Sequence, residues 1–109
     1  MNLVKKEKEI NIDGEEFIMT FDMRSLAVYK ELSNKPFTLG VHELFKYDDN
    51  AIIMFIASTL RRKEEANKPL GREVLEGDIL YFLMAHGDDV IDLIVKSLPS
   101  DNTENSKKK

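Results

Sequence analysis

Lys6-Glu7-Lys8-Glu9-Ile10-Asn11-Ile12-Asp13-Gly14-Glu15-Glu16-Phe17-Ile18-Met19-Thr20-Phe21-Asp22 is the stretch that decides the fold of this chain. Asp13-Gly14 separates two short segments, and Asp-Gly is a favoured pair for a two-residue hairpin turn because both positions need positive φ. That turn sets Ile12 opposite Glu15, Ile10 opposite Phe17, Lys8 opposite Met19 and Lys6 opposite Phe21. Paired residues share a face, so Ile10, Ile12, Phe17, Met19 and Phe21 gather on one side. Glu7, Glu9, Asn11, Glu16 and Thr20 take the other, with Ile18 the one misfit.

Two strands alone are marginal in water and leave both outer edges unpaired. Helices further along the chain must cover the apolar face. Charged residues such as Lys5, Lys8, Glu15 and Glu16 guard the edges, or an edge recruits a strand from a partner or a sister subunit.

From Asp22 onward the pattern turns helical. Asp22 or Ser25 caps a helix to about Leu32, ahead of the breakers Asn34 and Pro36. Thr38 caps a short helix through Leu44 and Phe45. Asp48 or Asp49 starts the longest helix, reaching about Glu65 before Asn67-Lys68-Pro69 stops it. Another stretch begins at Arg72, is interrupted at Gly77 and is recapped by Asp78. Gly87 reads as a C-terminal cap and Asp88 as the start of a last helix that Pro99 ends. Residues 1–99 are therefore expected to form one α+β domain, an N-terminal β-hairpin followed by four to five helices packed as a small bundle. Residues 100–109 lack aliphatic and aromatic side chains and read as a disordered polar tail.

The 109 residues suit one domain, and the net charge of −4 is mild with both signs interspersed. That balance argues against nucleic acid as a partner. Arg61-Arg62-Lys63, followed by Glu64-Glu65, reads as the solvated end of a helix. With no cysteine, disulfides, thiolate catalysis and thiolate metal sites are excluded. No apolar secretory segment opens the chain and no apolar run reaches membrane-spanning length, so a cytoplasmic protein with no membrane partner is expected.

Residues 51–57 and 79–85 are apolar all round, whereas a surface helix of a small bundle shows one stripe. One of the two can be the central helix. The second is hard to hide in so small a domain, so part of it is expected to meet another chain. Tyr81, Phe82 and Met84 are the candidate partner contacts, joined by Ile18 from the odd face of the hairpin.

Catalytic chemistry finds little footing. His42 and His86 are far apart, and His42-Glu43 has no second histidine one turn on. Asp88, Asp89 and Asp92 are explained by a helix start, as are Asp48 and Asp49. The glycines are isolated, and no serine has a histidine nearby. No catalytic, cofactor-binding or metal-ligating residue is assigned, and no enzyme is expected.

The string Ile10-Asn11-Ile12-Asp13-Gly14-Glu15-Glu16-Phe17, continuing through Phe21-Asp22-Met23-Arg24-Ser25-Leu26, resembles the opening of tail assembly chaperones of long-tailed bacteriophages. Leu70-Gly71-Arg72-Glu73-Val74-Leu75 resembles the stretch that begins that family's later helices. By pattern the likeness covers residues 6 to 99, by recognisable residues only the N-terminal third. It implies binding without catalysis: a phage or prophage protein that coats the tape-measure protein before the tail tube polymerises around it. It also implies self-association along the tape measure, contact with the tail-tube protein, and absence from the mature virion. Two other readings remain open, a structural head–tail connector or minor tail subunit, and a small helical DNA-binding regulator.

Overall fold

The computed structural model describes residues 6–98. The expected tail over residues 100–109 and the Pro99 stop lie outside them. Strands β1 (Glu7–Ile12) and β2 (Glu15–Thr20) form the hairpin in the register the sequence dictates, with Ile12 on Glu15, Ile10 on Phe17 and Lys8 on Met19. Asp13 (φ 52°) and Gly14 (φ 84°) both take the left-handed conformation the turn requires. The Asn11 side chain accepts a hydrogen bond from the Gly14 amide at 3.0 Å. The architecture is α+β, with five helices after the hairpin.

The free edge of β2 is closed from within the chain. Leu60–Arg62 forms β3 and pairs antiparallel with β2, Met19 on Leu60, Ile18 on Arg61 and Phe17 on Arg62. The helix expected to run to Glu65 therefore stops at Thr59. The Thr59 hydroxyl donates to the Phe55 carbonyl at 2.7 Å, and Ser58 donates to the same oxygen at 3.2 Å. Such back-bonding weakens a helix end, and an unpaired strand edge offers Leu60 and the residues after it a better use of their backbone groups. A single 3-10 turn, Lys63–Glu65, follows.

Among the described residues no strand pairs with the outer edge of β1. A two-fold antiparallel pairing with a second copy would preserve faces, so even residues would meet even and odd meet odd. Any such register centred within residues 6–9 sets Lys against Lys or Glu against Glu, which discourages self-pairing.

The helices are α1 (Met23–Ser33), α2 (Phe37–Phe45), α3 (Asp49–Thr59), α4 (Arg72–Leu75) and α5 (Ile79–Ser97). Asp22 caps α1 in a reciprocal box with Ser25. Asp48 caps α3 through the Ala51 amide, and Asn34 ends α1 in the left-handed conformation. The cap expected at Thr38 falls instead at Pro36, whose fixed φ suits a helix entry and which has no N–H to leave unpaired. Gly87 is no cap. It lies buried within α5, which runs 19 residues and is the longest helix. Here α5 crosses α3 closely, and a Cβ on Gly87 would stand 3.5 Å from Ile52 Cγ2.

Helix α3 is the centre, with Ile52, Ile53, Phe55, Ile56 and Ala57 all buried. Tyr29 stacks on Phe55 with centroids 4.3 Å apart, and Phe21 sits between Phe37 and Phe55. Arg61 joins sheet to helices and is not the solvated end of a helix: it is 1 % exposed. Its guanidinium grips Asp22 with two bonds of 2.7 and 3.1 Å and donates to Ser25 Oγ and the Ala66 carbonyl. Arg62 and Lys63 are also spoken for, pairing with Glu15 and Glu73 and with Glu9 and Glu16.

Two glycines in helices should respond oppositely to alanine. A Cβ at Gly40 would overlap the Tyr29 ring, which its stack on Phe55 pins in place. Gly40→Ala is expected to lose about 1–3 kcal/mol in denaturant unfolding despite its better helix propensity. Gly87→Ala meets only ordinary contact and should gain about 0.5–1 kcal/mol.

Acid should find the Asp22–Arg61 pair. Burial pushes the Asp22 carboxyl up, but Arg61 and the Ser25 amide outweigh it and hold it below the usual carboxylate range. The stability it supplies is therefore present above its unfolded value near pH ~4 and is lost as pH falls through the lower folded value. Asp22→Asn should cost about 3–5 kcal/mol at neutral pH. Its urea midpoint should also fall less steeply with acid than that of the native chain; parallel pH profiles would contradict this.

Candidate functional site

The cap at Asp78, whose carboxylate accepts from the Tyr81 amide at 3.0 Å, starts α5 just beyond the break at Gly77. Only part of the helix reaches the core. His86, Gly87, Val90, Leu93, Ile94 and Ser97 are buried, a spacing that confines the core to one stripe. The first turns face outward. Leu80 is 66 % exposed and Met84 80 %, with Tyr81 and Ile79 beside them. Asp78, Leu80, Tyr81, Met84 and Ala85 line a shallow depression of about 440 Å³. Farther along, Val95 is exposed and Ile91 half-buried on the same side.

Of the candidate contacts, Tyr81 and Met84 stand together on this surface. Phe82 is turned inward and half-buried, edge-on to Tyr81 with centroids 5.6 Å apart and packed against the core. Ile18 does not belong: it is 5 % exposed, paired with the buried Arg61. Arg61, its cross-strand partner, shares its face, and the 3-10 turn after β3 packs against β2. Leu80 also belongs to this surface. It lies one turn before Met84 within the same apolar run, which places both on one helix face.

A charged network fastens the middle of α5 to β1. His86 Nδ1 lies 3.2 Å from Asp89, and Lys8 reaches Asp89 at 3.3 Å and Asp92 at 3.7 Å. Lys96 pairs with Asp92 at 3.1 Å and, by hydrogen bonding and charge, holds its carboxyl below the usual range. Asp88, Asp89 and Asp92 thus lie in mid-helix and do not open a last helix. Among the described residues no three metal-ligating side chains converge, and no helix is long and apolar enough to cross a membrane. A second groove of about 720 Å³ runs between α1 and the segment 64–69, lined by Arg24, Ala27, Val28 and Pro69.

No protein family, curated protein or solved structure matches this chain.

The exposed face should be separable from the fold. Met84→Glu is expected to change unfolding free energy by no more than about 0.5 kcal/mol. Phe82→Glu, one turn face inward, should cost more than about 2 kcal/mol. Equal losses from the two would mean that the head of α5 is part of the core.

Proposed function

We propose that this chain is a tail assembly chaperone of a long-tailed bacteriophage or prophage. It binds the tape-measure protein in the host cytoplasm, keeps it soluble until the tail tube polymerises around it, and stays out of the mature virion. The observation that supports this reading is the unpartnered apolar face at the head of α5, carried by Leu80, Tyr81 and Met84. A long, helical, hydrophobic client needs a cover of this kind, because an exposed helix face with adaptable Met and aromatic side chains packs against another helix. The role is binding, with no catalytic step. The likeness of residues 10–26 to the chaperone family points the same way.

The DNA-binding alternative loses its best cations. Arg61 is buried on Asp22, while Arg62 and Lys63 are committed to glutamates, so this cluster does not form a free basic face.

Co-expression with the tape-measure protein of the same phage tests the proposal. The chaperone reading predicts a soluble tape measure that elutes with this chain, and loss of that complex with Met84→Glu. An insoluble tape measure beside a free small protein would refute it. Finding the chain in purified particles would favour the connector or minor tail subunit instead.

A further inference from the structure

We infer that the outward face of α5 takes a cationic amphipathic helix, one with an apolar stripe bordered by Lys or Arg. This names the chemistry of the client segment and rests on the reading of the α5 face as a binding surface. Leu80, Met84, Ile91 and Val95 recur at i, i+4, i+11 and i+15, which at 100° per residue confines them to one narrow stripe. The stripe is roughly 22 Å long at 1.5 Å per residue, matching a helical segment of about 16 residues. Leu80, Met84 and Val95 are more than half exposed.

Charge decides the occupant. Asp78 stands at the head of the stripe, and Asp88 and Asp92 follow along its solvent-side rim. Asp88 is exposed and has no ion-pair partner among the described residues, while Asp92 is shared by Lys8 and Lys96. Lys96, at the far end, is the one cation on this helix, and Asp92 already engages it. With Asp92 offset by two lysines, the uncompensated charge beside the stripe is that of Asp78 and Asp88, and an apolar stripe so bordered selects a helix with basic flanks and rejects an acidic one.

A second copy suits the face poorly. Antiparallel pairing about the middle of the stripe brings Asp88 beside its own counterpart, and parallel pairing sets Asp78 beside Asp78. An anionic lipid surface meets the same repulsion.

The test uses the full chain and three synthetic helical peptides of 18 residues with one leucine stripe, whose flanks are lysine, glutamine or glutamate. Binding is followed by calorimetry and by the NMR signals of the Met84 and Val95 methyl groups. The lysine peptide should bind, shift those methyls, and weaken at least fivefold on Asp88→Lys and on raising salt from 50 to 500 mM (both as order-of-magnitude expectations). The glutamate peptide should bind at least tenfold more weakly, about 1.4 kcal/mol. Equal binding of all three peptides, or none by the lysine peptide, would overturn the inference. So would a dimer in sedimentation that Met84→Glu dissociates, since a second copy would then hold the face. Failure here with a tape measure still solubilised in co-expression would refute the cationic-helix inference alone. Failure of both would refute the chaperone reading as well.

Discussion

A single buried guanidinium ties the three parts of this molecule together. Arg61 leaves the short third strand, passes beneath the end of β2 and grips Asp22, the residue that caps α1. The same group holds Ser25 and the Ala66 carbonyl, so sheet, first helix and the turn after β3 meet at one point. Arg61 is removed from water while Asp22 stays partly exposed, and burying such a charge costs several kcal/mol unless its pairing geometry is excellent. The forked, two-bond contact with Asp22 supplies that geometry, and a lysine could not reproduce it. The arrangement also fixes where α3 must end, because Arg61 reaches Asp22 only once the chain has left the helix and joined β2. With the hairpin thus closed by its own chain, α5 packs on α3 and reaches β1 through Lys8, and its first turns keep apolar surface that the core does not cover.

What could be read in the sequence follows the range of the interactions. The hairpin register was legible because turn chemistry and alternation are local, and both agreed over Ile10, Ile12, Phe17 and Met19; the expected Lys6–Phe21 pair lies beyond the ladder, which ends at Glu7 and Thr20. The caps at Asp22, Asp48 and Asp78 were legible for the same reason, each being a side chain bonded to an amide three residues on. The third strand was not. Leu60-Arg61-Arg62 has no turn signal and continues a helical pattern, and only the open edge of β2, some forty residues earlier, makes it a strand. Gly87 misled for a similar reason. Locally it is a helix terminator, but it lies buried where α5 packs on Ile52 of α3, and that packing carries the helix through it. Pro36 displaced Thr38 because a fixed φ decided that helix entry more firmly than a hydroxyl.

The exposed apolar face of α5 was half legible. An all-apolar run over residues 79–85 signalled surface in excess of the core, and Tyr81 and Met84 do lie on it. Which residues of the run turn inward depends on how α5 meets α3, so Phe82 could not be sorted from Tyr81 in advance. Ile18 was misplaced because its partner, Arg61, was expected in solvent. Asp88 and Asp92 were read as the start of a helix, whereas they lie in mid-helix, Asp88 exposed and Asp92 held by Lys8 and Lys96.

A body closed by Arg61 and Asp22 presents a helix whose inward stripe from His86 to Ser97 is core and whose first turns are spare. Residue-resolved amide hydrogen exchange tests this most directly. The account predicts that amides of α3 and of residues 90–94 exchange only through global unfolding. Amides of residues 82–85 should open locally and exchange orders of magnitude faster. Protection as strong at residues 82–85 as at 90–94 would contradict it, as would loop-like exchange across the β2–β3 pairing.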